Sequence, residues 1–245
     1  MLDRFRAAGL IAPSLLAVLG LAILVSLGTW QIERKAQKDK LIATIAEREA
    51  KAPVGLEAAL DLWQRGADAA EFTPVAVQGT FAGAIERLYY APHPVYGPGS
   101  NVFSPLQVAP HMVVWVDRGF LPARLREPRP AEAGQPVDVV GLLRAPGRRG
   151  RFDPDNNVAA NQWYWRDLAG MHASAFPDGK VEAAPFFIEA RQVTGLPADG
   201  WPRPEAASPK PPNRHLEYAV TWFGLALTLL GVYVAFAVSR IRARD

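Results

Sequence analysis

A single histidine, His215, stands just before one of the two long uncharged stretches of this chain, residues 218–238. On a helix, residues three, four and seven positions further along share a face, which places Tyr218, Ala219 and Trp222 beneath its ring. A neutral imidazole above an aromatic groove is a workable axial ligand for haem iron. A histidine at this boundary can equally cap or anchor the helix, so the residues alone leave both roles open.

Other aromatic and basic residues could complete such a site. Trp30 ends the other uncharged stretch at the same depth, so it could close the opposite wall. Arg34, Lys35 and Arg214 lie near that boundary and could pair with haem propionates, because cationic side chains form charge-assisted hydrogen bonds with carboxylates. A ligand with an apolar body and a polar edge would suit this position.

The segment Asp117-Arg118-Gly119 is a second candidate, at the end of the most apolar strand-like segment. In one interpretation, Arg118 faces a carboxylate of a ligand or a partner. In the other, the two charged residues form a pair at a strand end, and Gly119 permits a β-bulge. The sequence does not decide between these interpretations.

Several common chemistries are absent from the sequence. It contains no cysteine, which removes disulfides, thiolate metal sites and thiol redox chemistry. No G-x-S-x-G elbow, P-loop, dinucleotide glycine fingerprint or H-E-x-x-H motif occurs. The four histidines have no local ligand spacing, and a net charge of +3 gives no reason to expect nucleic acid as a partner. No catalytic site is therefore predicted.

Two stretches are long enough to cross a membrane, residues 7–31 and residues 218–238. A helix of about 21 residues rises roughly 32 Å, against a bilayer core of about 30 Å. Aromatic residues end the first stretch and begin the second, as is typical of membrane–water boundaries. The first stretch exceeds the core of a signal peptide, so a retained anchor is favoured over a cleaved signal.

The basic residues of both tails predict the topology. By the positive-inside rule, these arginine-containing tails lie in the cytoplasm. Basic residues also follow the first span, but long domains translocate largely regardless of charge. The predicted order is a cytoplasmic tail (1–6), a transmembrane helix (7–31), an extracytoplasmic domain (32–214), a second transmembrane helix (215–238) and a cytoplasmic tail (239–245).

The residues between the spans predict a β-rich domain with short helices. Helical periodicity continues the first span through residues 33–51, and residues 56–65 and 167–174 form shorter helices. Seven strands are predicted at residues 73–81, 87–91, 102–108, 112–120, 137–143, 162–167 and 185–189. Because no crossover helices separate them, we expect an α+β membrane protein whose mainly antiparallel strands form a barrel or sandwich.

Short motifs in a fixed order carry a resemblance to a known family. They are Gly28-Thr29-Trp30-Gln31, Gly79-Thr80-Phe81, Ser104-Pro105-Leu106, Val116-Asp117-Arg118-Gly119-Phe120-Leu121-Pro122, and the residues Asn213, His215, Leu216, Tyr218, Thr221, Trp222 and Phe223. Together they resemble the Surfeit locus protein family of cytochrome c oxidase assembly factors. The sequence departs from the family pattern at Asp117, Arg214 and Glu217, where Asn, Asn and Gln are usual.

The resemblance implies a non-enzymatic role in the assembly of haem-copper oxidase. Bacterial members are thought to bind haem a through the histidine that matches His215, which would make Trp30, Tyr218 and Trp222 the walls of the pocket. The implied partners are oxidase subunit I, haem A synthase and the lipid bilayer, and the implied location is a bacterial inner membrane with a periplasmic central domain.

The resemblance leaves two matters open. The first is which basic residue pairs with the haem propionates, for which the candidates are Arg34, Arg118 and Arg214. The second is the function itself. The alternative function is a membrane scaffold that stabilises immature subunit I and binds no haem.

Overall fold

The computed structural model describes residues 9–83, 85–125, 134–194, 200–204 and 213–243. The chain divides into two compact units: a helical unit, Met1–Thr44 with Lys210–Asp245, and a β unit, Ile45–Pro209. The predicted tail 1–6 lies outside the described residues. The elements are α1 (Ile11–Glu49), α2 (Leu56–Arg65), α3 (Ala67–Ala70), β1 (Pro74–Phe81), β2 (Arg87–Tyr90), β3 (Gly99–Ala109), β4 (Met112–Pro122), a 3-10 turn (Ala123–Leu125), β5 (Pro136–Arg144), β6 (Gln162–Trp163), α4 (Leu168–Ala175), β7 (Glu182–Val193) and α5 (His215–Arg242).

The helical unit is built from α5 and the first part of α1. Both helices are long and apolar enough to cross a membrane, judged by length and composition. They run antiparallel, since Ser14 near the start of α1 hydrogen-bonds Tyr233 near the end of α5. The continuous helix predicted from the first span into residues 33–51 is confirmed, because α1 runs unbroken to Glu49.

Small residues bring the two helices close together. Ala17 and Gly28 of α1 and Ala219 and Ala226 of α5 are buried. A Cβ atom added to Gly28 would lie 2.7 Å from the ring of Phe223, so only glycine permits this approach. Small residues at a helix contact allow close van der Waals packing, which drives helix association where water is absent.

The β unit contains one seven-stranded mixed sheet in the order β1-β5-β7-β4-β3-β2-β6. Four neighbouring pairs are antiparallel, whereas β4 pairs with β7 and β2 pairs with β6 in parallel. All seven predicted strands are present, although the predicted strand 162–167 ends at Trp163. It ends there because the backbone N–H groups of Tyr164 and Trp165 donate to the side chain of Asn156, at 2.8 and 3.4 Å, and not to a neighbouring strand. Asp167 then caps α4, accepting a hydrogen bond of 2.9 Å from the backbone N–H of Gly170.

The predicted closed barrel is wrong. The end of β1 also meets β3, but only at Thr80 with Gln107 and Phe81 with Leu106. The sheet therefore curls back on itself without closing. The described residues form one sheet, and helices cover both of its faces. The predicted sandwich of two sheets is therefore not formed by these residues.

Adjacent phenylalanines on β7 show how the two faces are packed. Phe186 contacts Trp63 of α2, with ring centroids 5.6 Å apart. Phe187 belongs to a second cluster on the opposite face, with Trp115, Trp163 and Met171 of α4. Successive side chains of a strand point to opposite faces, so this pair fixes α2 on one side of the sheet and α4 on the other.

Candidate functional site

His215 contacts the other helix of the helical unit through a single short hydrogen bond. Its Nδ1 atom lies 2.7 Å from Oε1 of Gln31, which is only 8% exposed. With the amide oxygen facing the ring, His215 Nδ1 is the donor, since an amide oxygen can only accept. The lone pair then lies on Nε2, the atom that remains available to a metal ion. A ligating histidine is commonly oriented by such a bond from its other nitrogen.

The close packing of α1 and α5 holds this pair in place. Gly28 lies one turn before Gln31 and packs against Phe223, while Ala219, one turn after His215, is buried. With backbones this close, the short side chain of Gln31 spans the gap to the imidazole ring. The sequence predicts the helix on which each of these residues lies. The contact between the two helices is what brings Gln31 to His215.

The structure separates the three predicted aromatic walls. Trp222 is half-buried, and its indole Nε1 is buried without an acceptor among the described residues. Tyr218 and Trp30 are 53% and 52% exposed, so both lie on the outer surface of the helix pair. Only Trp222 therefore follows His215 on the side that faces α1.

The basic residues near His215 already have local partners. Arg214 forms an ion pair of 2.7 Å with Glu217, so the two charged departures from the family pattern neutralise each other. Arg34 is exposed and donates to the neutral side chain of Gln37 at 2.9 Å. Of the two arginines, only Arg214 forms an ion pair with a carboxylate among the described residues.

Arg118 lies in the β unit, where its guanidinium is only 2% exposed. It pairs with Glu86 at 2.8 Å and stacks over the ring of Phe81 at 5.1 Å. Burial lowers the pKa of Arg118 and raises that of Glu86, the latter in spite of the arginine's charge. The carboxylate expected opposite Arg118 is thus supplied by this chain, which leaves little of the guanidinium to meet a propionate.

Asp117 does not pair with Arg118, because the two side chains have different partners. Asp117 accepts hydrogen bonds from Asn101 at 2.8 Å and from the backbone N–H of Gly119 at 3.0 Å. Burial raises its pKa from 3.8 to about 6. The predicted bulge is confirmed: β3 and β4 shift register here, and Gly119 adopts a φ of 105° that favours glycine.

Gln31 is the site residue that reasoning from sequence missed. The one local signal is that Gln31 is an uncharged amide at the end of an apolar stretch, directly before a run of charged residues. Among the described residues, no group of three or more His, Cys, Asp or Glu side chains could hold a metal ion. Any metal ion held at His215 would therefore have a single nitrogen of this chain, oriented by one amide, among the described residues.

Comparisons with known proteins agree with the motifs. A family model described as the SURF1 family matches residues 18–227. Surfeit locus protein 1 of Gallus gallus is 33% identical over 223 residues, which cover 81% of this chain and 67% of that protein. The Homo sapiens protein of the same name is 33% identical over 224 residues, covering 82% and 69%. A SURF1-like protein of Drosophila melanogaster is 30% identical over 240 residues, covering 88% and 74%.

Proposed function

We propose, from the premise that this chain belongs to the SURF1 family of cytochrome oxidase assembly factors, that it binds haem a through His215 and aids haem insertion into oxidase subunit I. The observation that carries the proposal is the 2.7 Å hydrogen bond between His215 Nδ1 and Gln31 Oε1. It directs the protonated nitrogen to the amide and leaves Nε2 for the iron.

The residues around His215 fit a haem in their chemistry. A single neutral imidazole is a common axial ligand, and it needs no further protein ligand. The exposed surface of both helices is apolar, which suits a macrocycle with a hydrocarbon tail in the plane of a bilayer. The indole N–H of Trp222 is buried and has no acceptor among the described residues, so its part is to offer its ring to such a ligand.

Each residue has a distinct part in holding the ligand. His215 would ligate the iron, and Gln31 would orient the imidazole and keep its proton on Nδ1. Trp222, with Tyr218 and Trp30 on the outer surface, would offer aromatic faces to the macrocycle. Arg34 is the proposed partner for a propionate, since it forms no ion pair with a carboxylate in the described part of the chain. When bound, the haem would supply an iron that accepts one axial nitrogen.

The membrane setting is part of the proposal. Two helices of spanning length support insertion in a bacterial inner membrane, with the termini in the cytoplasm and the β unit in the periplasm. In this arrangement, the chain would receive haem a from haem A synthase and present it to subunit I. No step of this process requires a catalytic group, in keeping with an assembly factor.

Haem content tests the proposal directly. The full chain is co-expressed with haem A synthesis, purified in detergent, and measured by absorbance for haem per protein. We expect His215→Ala to lose bound haem, and Gln31→Leu to weaken haem binding by about 10- to 100-fold, because the ligand loses the group that orients it. His111→Ala and Gln64→Leu, exposed positions in the β unit, serve as matched controls.

The outcomes separate two functions. Equal haem content and equal spectra for His215→Ala and the unmodified chain would refute the ligand assignment. Haem-free protein that still co-purifies with subunit I would instead support the scaffold function. A readout independent of haem is the tautomer of His215 in the apo protein, measured by nitrogen NMR, which should shift in Gln31→Leu.

A further inference from the structure

The β unit contains a polar cavity of about 300 Å³ on one face of its sheet. Strands β2, β3, β4, β5 and β7 all contribute to its wall, together with the segment that precedes α4. Its principal lining side chains are Tyr89, Asn101, Asp117, Arg144, Arg166 and Glu189. Nothing in the proposed binding of haem uses this cavity.

The charges on the β5–β7 side of the cavity are matched within the chain. Arg144 donates to Glu189 at 2.6 Å and to Glu71 at 3.2 Å, and its guanidinium stacks over the ring of Phe72. Glu189 also accepts from Arg191 at 2.8 Å. Each charge on this side therefore has an opposite charge of the chain beside it, which leaves little attraction for a ligand.

Arg166 differs from the other arginines of the wall. Its side chain is half-buried, and its guanidinium makes no hydrogen bond or ion pair among the described residues. The charged groups near enough to act on it are Arg144, Glu189 and Asp117, and burial lowers its pKa. Its five N–H donors are therefore free to meet an acceptor that enters the cavity.

Tyr89 presents a second donor to the same space. Its ring is held edge-on against Phe103, with centroids 6.0 Å apart, and its hydroxyl makes no hydrogen bond among the described residues. The wall of the cavity thus carries two donor groups that hydrogen-bond no described residue. An acceptor with two oxygens could take hydrogen bonds from both.

We propose that this cavity binds a small carboxylate, whose oxygens accept hydrogen bonds from Arg166 and from the hydroxyl of Tyr89. The planar fork of an arginine matches the two oxygens of a carboxylate and forms a paired, charge-assisted interaction. The volume of about 300 Å³ admits a small organic acid and excludes a folded protein segment.

Two carboxylates of the chain oppose the entry of an anion. Glu189 is neutralised by its two arginines, so Asp117 is the main source of repulsion. The groups that face Asp117 are Asn101, Glu189, Arg166, Arg144 and Tyr89, and none of them lies within ion-pair distance. Since burial raises the pKa of Asp117 to about 6, mild acid removes this repulsion. Ligand binding and proton uptake by Asp117 are therefore coupled.

Calorimetric titration of the full chain in detergent tests the site. Glycolate is the probe, and glycolamide is the neutral control of nearly the same shape. We expect saturable binding of one glycolate and no binding of glycolamide. Arg166→Gln should weaken glycolate binding by about ten-fold or more, because a charge-assisted pair is lost. Arg148→Gln, at an exposed position outside the cavity, should leave it unchanged.

The pH dependence gives a second measurement. Glycolate should bind up to about 20-fold more tightly near pH 5.5 than near pH 7.5, and Asp117→Asn should abolish this difference. Failure of folded, unmodified protein to bind glycolate near pH 5.5 would overturn the proposal, as would equal binding of glycolamide. These two measurements use the unmodified protein, so the proposal can be refuted even if Arg166→Gln fails to fold. Neither depends on haem binding by His215.

Discussion

Asp117 is a buried carboxyl group whose replacement should stabilise the β unit at neutral pH. It is 7% exposed and accepts two hydrogen bonds, yet no cationic group of the described residues lies within ion-pair distance. Burial raises its pKa from 3.8 to about 6, which means that the folded state holds the proton more tightly than the unfolded state. Asp117→Asn removes the charge and keeps an amide oxygen that can accept.

The sign and size of the stability change in Asp117→Asn follow from the linkage of protonation to folding. Because the folded pKa is the higher one, the contribution of this group is most favourable below about pH 4 and is lost as pH rises through about 6. The difference between 3.8 and about 6 corresponds to about 3 kcal/mol. Asn has fewer acceptors than a carboxylate. We therefore expect Asp117→Asn to raise the free energy of unfolding by about 1–3 kcal/mol above pH 7 and to change it little near pH 4.

Melting curves of the full chain provide the assay. Unfolding of the β unit is followed through its buried tryptophans, Trp115 and Trp163, in a carboxylate-free buffer from about pH 4 to pH 8. For a unit of this length, each kcal/mol shifts the midpoint by about 2–4 °C. Asp117→Asn should therefore melt about 3–9 °C higher than the unmodified chain near pH 7.5.

A matched variant controls for the general effect of removing an acid. Asp155 is 84% exposed and pairs with Arg149, so Asp155→Asn should shift the midpoint little and equally at pH 6 and pH 8. The reasoning is refuted if the midpoint of Asp117→Asn differs from that of the unmodified chain by the same amount at every pH. A variant that is less stable near pH 7.5 would refute it as well.

The remaining predictions concern the helix contact and the buried ion pair. Gly28→Val should push Phe223 away, separate Gln31 from His215 and lower haem content to near that of His215→Ala, whereas Gly231→Val, which meets no atom within 4 Å, should not. Haem content is measured by absorbance per protein, and an unchanged value in Gly28→Val would contradict the predicted loss. Arg118→Met should destabilise the β unit by about 3 kcal/mol but leave haem per folded protein unchanged, and a selective loss of haem would restore Arg118 as a propionate partner.

Local patterns in the sequence were enough to find the elements of the fold. The helix 56–65 was predicted with its observed bounds, and all seven strands were found, because periodicity and turn residues act over a few positions. The order of the strands depends on contacts far apart in the chain. The parallel pairing of β4 with β7 could not be predicted, since the segments between them include β5, β6 and α4.

The site was predictable in part. His215 was found because it borders an apolar stretch, a feature that is visible locally. Its partner Gln31 lies 184 positions away, and the close packing of small residues such as Gly28 at the helix contact brings the two side chains within hydrogen-bond distance. The exposure of Tyr218 and Trp30 on the outer surface could not be predicted for a related reason: the face of a helix that becomes buried is set by its neighbour.

The sequence by itself determined the helices and strands, the two apolar stretches and the family, because propensity, periodicity and motif order are properties of neighbouring residues. The tertiary structure decided which groups meet: Gln31 with His215, Glu86 with Arg118, and the donors of Arg166 and Tyr89 around one cavity. These contacts join residues distant in the chain. They arise only when the whole chain buries its apolar surface and the remaining polar groups must find partners in the space that is left.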